Sequence, residues 1–319
     1  MSEIKTNWYS QDGKDNALAL QATYPAVFEA IAELDALGHR MLARAASPKI
    51  TDIDRLVGVA MMRRAATLFV GVRHLFEASA IEPAKLVLRA SFETLLAFRY
   101  LVHGGKSKVD LFTPSDPRMR EARARYFFVA AERQLVYSRQ SLLDGRWGGR
   151  KVSGLERQRL KDEVQAEIAR LQQQFPAQTR AFGVYRCYMP PKQRRYFDAR
   201  DWYSFGFKSG KVKNIRALAA RFKWLGEYEL LYASFSGMMH PRGISHDAKI
   251  TDQGYEVYHP YMAEAFELLA YWACGWQMMI LAAAMQAYTP ETLPDAQSVS
   301  AKIAPVLRAL NVGIPDGLI

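Results

Sequence analysis

Cysteine is nearly absent from this chain of 319 residues, which contains only Cys187 and Cys274. Two thiols are too few for the disulfide framework of a small secreted domain. The N-terminal stretch MSEIKTNWYSQDGKDN is polar and has no hydrophobic signal core. Because such a core directs a chain to secretion, we expect a cytoplasmic protein.

Motifs of several familiar chemistries are also missing. The sequence has no Cys-x-x-Cys, no His-Glu-x-x-His and no Gly-x-Ser-x-Gly, so zinc ribbons, zinc metalloproteases and α/β-hydrolases lack support. Gly105-Lys106-Ser107 is similar to the end of a P-loop, but Tyr100 stands where the earlier glycine is required, and a predicted helix precedes it. We expect no metal and no other cofactor.

The sequence also lacks the alternation of apolar and polar residues that is typical of strands. Instead, apolar residues recur with helical spacing along most of the chain. The predicted helices span residues 24–45, 52–80, 83–103, 117–144, 154–175, 213–240 with a break near Gly226, 260–287 and 297–310. The sequence therefore predicts an all-α fold. We expect a single large helical-bundle domain over residues 24–290, with a basic aromatic insertion at about 176–213. A polar N-terminal segment, 1–23, would precede this domain, and a C-terminal helix and tail, 291–319, would follow it.

One apolar run, Leu268–Met285, contains Gln277 as its only strongly polar residue. Its eighteen residues are at the short end of what crosses a membrane. The run is rich in alanine, follows Glu264 and Glu267, and lacks a flanking cluster of Lys and Arg. These features favour the central helix of a core, and we expect no membrane association.

Positive charge is concentrated in two segments of a chain whose net charge is +11. Residues 116–161 include twelve basic and five acidic side chains, and residues 185–224 include eleven basic and two acidic ones. Such segments favour a polyanionic partner. The arginines of the predicted helix 117–144 are more typical of a solvated face than of a groove-reading helix.

The second basic segment interleaves positive and aromatic side chains. Lys and Arg neutralise phosphates while aromatic rings stack on bases, so this composition is typical of a surface for unpaired nucleic acid. The residues that we predict to contact RNA or another nucleic acid are Arg194, Arg195, Trp202, Lys208, Lys211 and Lys213. The alternative is an ordered loop that its aromatic residues anchor to the helical body, with the charges simply solvated.

Two predicted helices each carry a line of polar residues among apolar ones. Residues four apart lie on one helix face, so the spacing of these residues places each set on a line. The first line consists of Arg89, Glu93 and Tyr100, and the second of Tyr232, Ser236 and His240. Because apolar residues surround the first line on nearly all sides, we expect its charges to be buried, and buried charges persist when they are paired.

Two interpretations of these lines are open. In the first, they form a polar network that fixes the packing of two helices. In the second, they line a cleft where His240 acts as general acid or base, Glu93 orients it, and Arg89 and Arg242 neutralise a phosphate. Such a set is sufficient for RNA cleavage without a metal.

The sequence also resembles a widespread bacterial family of uncharacterised helical proteins. The resemblance covers roughly residues 52–290 and rests on an Arg-x-x-x-Glu helix and a Tyr-x-x-x-Ser-x-x-x-His helix. Both motifs match here, at Arg89, Glu93, Tyr232, Ser236 and His240.

The helical arrangement of that family is similar to HEPN-type domains, the ribonuclease modules of toxin-antitoxin and phage-defence systems, which usually act as dimers. This resemblance implies a HEPN-like core, a homodimer and a protein partner in such a system. HEPN ribonucleases carry an arginine followed by a histidine after four to six residues. The closest pairs here, Arg99 with His103 and Arg242 with His246, are each one residue short, so the resemblance assigns no catalytic residue by that motif.

Our first hypothesis is a HEPN-like, metal-independent ribonuclease effector of bacterial phage defence or of a toxin system. The alternatives are a non-catalytic helical module that binds nucleic acid or a partner protein, and a sensor whose polar cleft holds a nucleotide-like ligand.

Overall fold

The computed structural model describes residues 8–46, 49–104, 114–143, 153–182, 212, 214–239, 248–251, 254–257 and 263–310. Its helices are α1 (Trp8–Thr23), α2 (Pro25–Ala46), α3 (Ile53–Glu77), α4 (Ile81–His103), α5 (Pro117–Leu143), α6 (Gly154–Gln174), α7 (Pro176–Phe182), α8 (Ile215–Arg221), α9 (Leu225–Met239), α10 (Ala263–Tyr288) and α11 (Leu293–Ala309). A short antiparallel hairpin joins β1 (Ala248–Thr251) to β2 (Gly254–Val257). The predicted all-α class is confirmed.

Most predicted helices begin and end within a few residues of the observed ones. The predicted break near Gly226 is present just before it, where Lys223 has a positive φ of 64° between α8 and α9. Helix α1 and the hairpin were not predicted. Leu20 is the one buried residue among the described side chains of α1, and each strand has only four residues, so neither gives a clear periodic signal.

The chain divides into two compact units. Unit 1 comprises Met1–Ile50, Gly58–Pro114 and Ala219–Ile319, and unit 2 comprises Thr51–Val57 and Ser115–Leu218. The domain boundaries expected from the sequence stay a prediction.

Helix α10 is the central helix of unit 1, where it packs against α2, α4 and α11. Phe266 meets Phe76 edge to face with ring centroids 5.0 Å apart. Over Ala265–Tyr288 this helix is long and apolar enough to cross a membrane, but 72% of its most apolar 18-residue stretch is buried within the fold. That burial supports the interpretation of the run as a core helix.

The ring of Tyr288, the last residue of α10, lies directly against Gly58 of α3. A Cβ atom at this position would lie 2.4 Å from Cζ of Tyr288, which is closer than two carbon atoms pack. The absence of a side chain at Gly58 therefore leaves the room that the Tyr288 ring occupies.

Unit 2 has its own small core between α5, α6 and α7. Its buried residues are Val129, Val136, Val164, Ile168 and Leu171. Ser153 caps α6 by accepting a hydrogen bond from the backbone N–H of Glu156, as in a capping box. On α5, Arg120 lies 2.9 Å from Asp54 and Arg125 lies 2.6 Å from Glu121, so part of the positive face predicted there is neutralised within the unit.

Candidate functional site

The polar line of α4 differs along its length. Tyr100 is only 2% exposed and lies in the core, whereas the side chains of Arg89 and Glu93 are 29% and 39% exposed. The expectation that both charges are buried is therefore wrong. The reason is that neighbouring helices surround the C-terminal half of α4 on all sides, while the N-terminal half has one side open to solvent.

The two polar lines meet, as their spacing suggested, through three side chains. Tyr232 of α9 donates a hydrogen bond from its hydroxyl to Oε1 of Glu93. Arg89 lies with Nε 3.5 Å from the same Glu93 oxygen, and its Cζ lies 3.7 Å from the centroid of the Tyr232 ring. A guanidinium, a carboxylate and a phenol thus form one cluster on unit 1.

A second tyrosine extends this cluster. The rings of Tyr228 and Tyr232 are stacked, with centroids 4.0 Å apart and an interplanar angle of 21°. Tyr228 was not identified from the sequence, although it stands four residues before Tyr232 and continues the same line by one helical turn. The pair offers a flat apolar surface beside the Arg89 cation.

The surroundings of the cluster fix its charges. Burial and the hydrogen bond to Glu93 raise the pKa of Tyr232 above its usual value, so the phenol stays protonated as a donor. Burial alone would lower the pKa of Arg89, but its contacts with Tyr232 and Glu93 outweigh that effect and raise it. At neutral pH the site therefore presents a permanent cation and a neutral hydroxyl.

The other predicted site residues lie wholly or partly outside the described residues. Ser236 lies on α9, but its side chain is not among those described. The positions that lie outside the described residues altogether are Arg194, Arg195, Trp202, Lys208, Lys211, Lys213, His240 and Arg242. Their predicted roles stay predictions.

Candidate metal ligands do not gather in the described part of the chain. There, no group of three or more His, Cys, Asp or Glu side chains is arranged to hold a metal ion. The chemistry open to the Arg89–Glu93–Tyr232 cluster itself is anion binding by the guanidinium, hydrogen bonding by the phenol and carboxylate, and stacking on the tyrosine rings.

Comparison with known proteins places the chain in a family. Residues 55–255 match the model of a family of unknown function, DUF5677, so the chain belongs to that family. The matched range includes both α4 and α9, the two helices that form the cluster. No curated protein and no solved structure matches the chain significantly.

Proposed function

We propose that the chain is a HEPN-like, metal-independent ribonuclease, acting in the cytoplasm as the effector of a bacterial phage-defence or toxin system. The observation that carries this proposal is the contact of Arg89, Glu93 and Tyr232 on a partly exposed face of unit 1. A homodimer and a protein partner from the same system belong to the proposal through the similarity to HEPN-type domains.

The cluster supplies groups that RNA binding requires. Arg89 is a cation suited to a phosphate, and its pKa is raised, so it keeps its charge. Arg89 and Tyr228 cover the two faces of the Tyr232 ring, so within this stack the outer face of Tyr228 is the surface suited to an unpaired base. The described contacts of Glu93 are with Arg89 and Tyr232, so we assign its carboxylate to holding these two side chains in place.

The proposed reaction takes place where α9 ends. Met239 is the last residue of α9, and His240 and Arg242 follow it in the sequence. In the proposed step, imidazole accepts the proton of a ribose 2′-hydroxyl, whose oxygen attacks the adjacent phosphorus. The bond from phosphorus to the 5′-oxygen breaks, and that oxygen takes up a proton from water. Arg242 and Arg89 stabilise the charge on the phosphate.

The test is the cleavage of RNA by the purified protein in EDTA. We expect His240→Ala to lower the rate by roughly 10²–10⁴-fold without loss of fold or RNA binding. The control is His39→Ala, because His39 is 61% exposed and pairs with Asp35 on α2. Equal rates for the wild-type protein and His240→Ala, or a strict need for added metal, would refute the proposal.

A second candidate, a module that binds nucleic acid without cleaving it, is favoured by the tyrosine stack beside Arg89. In that case the combined replacement of Arg194, Arg195, Lys211 and Lys213 by alanine should abolish RNA binding, while His240→Ala changes nothing. Binding should weaken steeply with added salt in either case, because phosphate contacts release counterions.

A further inference from the structure

A cavity of about 220 Å³ lies within unit 1, away from the Arg89 cluster. One face of α4 forms part of its wall with Leu95, Arg99 and His103. The facing side of α10, residues of α11, and Trp224 complete the wall. The cavity is small compared with common ligand pockets of roughly 300–1,000 Å³, so it suits a small molecule.

Arg99 is an unusual residue for such a wall. It is only 8% exposed, and its Nε has no hydrogen-bond partner in the structure. Within the described part of the chain no carboxylate forms an ion pair with it, and burial alone lowers its pKa to about 10. The guanidinium is still charged at neutral pH, and a buried charge ordinarily requires a partner of opposite sign.

Two aromatic rings cover this guanidinium. The Cζ atom of Arg99 lies 4.8 Å from the ring centroid of Phe222 and 4.2 Å from that of Trp224. The two rings are inclined to each other by 62°, so at most one of them lies flat on the guanidinium, and the N–H groups that point away from the rings can act as donors. The fork of donors on a guanidinium matches the two oxygens of a carboxylate.

The rest of the cavity is apolar. Its walls include Phe98, Met278, Met279 and Leu307. At Gly275, which also lines it, an added Cβ would meet no other atom within 4 Å, so this side of α10 faces open space. A ligand for this cavity therefore needs an apolar body as well as an anionic group.

We propose that unit 1 binds a small apolar carboxylate in this cavity, with the carboxylate on the Arg99 guanidinium and the apolar body against α10. His103, Tyr271 and Ser300 also line the cavity and can form hydrogen bonds with a bound ligand. This site is independent of the proposed ribonuclease activity, because none of its residues belongs to the Arg89 cluster.

The experiment is calorimetric titration of the purified full-length chain with octanoate and with benzoate. Three comparison probes are used. Octanol lacks the negative charge, octylammonium carries a positive charge instead, and inorganic phosphate lacks the apolar body. We expect saturable binding of at least one carboxylate and at least tenfold weaker binding of the three comparison probes. Equal affinity for octanoate and octanol would overturn the proposal, as would failure of both carboxylates to bind.

Two variants test the site itself. Arg99→Met keeps an apolar side chain of similar length, and we expect it to weaken carboxylate binding by about 10- to 100-fold. Gly275→Leu fills the space beside α10, and we expect it to block binding while the helical circular dichroism is unchanged. Arg73→Met is the control, because Arg73 already pairs with Asp35 and Glu77. Undiminished binding by either Arg99→Met or Gly275→Leu would contradict the proposal.

Discussion

Two arginines of the same helix, Arg89 and Arg99, stand in opposite environments. Arg89 is 29% exposed and contacts both a carboxylate and a phenol. Arg99 is 8% exposed and lies against two aromatic rings. The two side chains are identical, so the residues packed around each guanidinium determine what it can bind.

The difference follows from the packing of α4. Its N-terminal half carries Arg89 at the edge of the fold, opposite α9. Its C-terminal half is buried all round from Thr94 to His103. A partly exposed, paired arginine costs little folding free energy, and its guanidinium can bind an incoming phosphate. A buried arginine without a carboxylate destabilises the ligand-free fold, which is typical of a residue retained for binding.

The largest expected effect is on the rate of RNA cleavage, and it concerns Arg89. Arg89→Met should lower the rate of RNA cleavage by roughly 10²–10³-fold, because it removes a cation from the charged transition state. The same change should alter the free energy of unfolding by less than about 1 kcal/mol, since an exposed ion pair contributes little. Cleavage assays and urea denaturation measure the two quantities. A cleavage rate that stays within twofold of wild type would remove Arg89 from the proposed site.

The second prediction concerns stability, and here we expect the substitution to be favourable. Arg99→Met should raise the free energy of unfolding of the ligand-free protein by about 1–2 kcal/mol. Relief of the burial cost outweighs the lost cation–π contacts with Phe222 and Trp224. Urea denaturation of wild type, Arg99→Met and Arg89→Met measures the difference. A lower stability for Arg99→Met than for Arg89→Met would show that the buried arginine stabilises the fold.

The third prediction uses pH to test whether the buried charge of Arg99 causes the difference in unfolding free energy between the wild-type protein and Arg99→Met. Burial lowers the pKa of Arg99 to about 10 in the folded state, so the folded protein holds this proton less tightly than the unfolded chain does. The destabilisation is fully present at pH values well below 10 and is relieved progressively as the pH rises through 10. The stability gap between wild type and Arg99→Met should therefore narrow by about 1 kcal/mol between pH 9 and pH 11. A constant gap would assign the difference to packing.

The smallest expected effect is at Tyr232. Tyr232→Phe removes the hydrogen bond to Glu93 and keeps the ring beneath Arg89. The free energy of unfolding should fall by about 1 kcal/mol, the usual contribution of one hydrogen bond. Tyr228→Phe is the matched control, because it keeps the stacked ring pair and leaves the Glu93 contact intact. Equal stability of the two variants would argue against a significant role for the Glu93 contact.

Helical periodicity is enough to predict the fold class. The four-residue spacing of Arg89 with Glu93 and of Tyr232 with its successors places each line on one face of its helix, but it does not show that the two helices meet, which was a hypothesis that the Tyr232–Glu93 contact supports. The expectation that Arg89 is buried is wrong, because the apolar residues around it in the sequence do not reveal which side of α4 faces solvent.

The Arg99 cavity shows where sequence reasoning stops. Arg99 has no polar neighbour at helical spacing apart from His103, and its contacts Phe222 and Trp224 lie more than a hundred residues further along the chain. Only the position of residues 222–224, between α8 and α9, against α4 brings them together. An arginine that is surrounded by apolar residues in the sequence of a helix is therefore a candidate binding residue, but its partners cannot be identified from spacing.

The central claim, that Arg89, Glu93 and Tyr232 belong to a site that cleaves RNA, is tested most directly by the ends of the RNA produced in EDTA. Mass spectrometry of the products should find 2′,3′-cyclic phosphate and 5′-hydroxyl ends with the wild-type protein, and at least about a hundredfold less of both after the same time with Arg89→Met or His240→Ala. Intact RNA after incubation with the wild-type protein, or equal amounts of these ends from all three proteins, would contradict the claim.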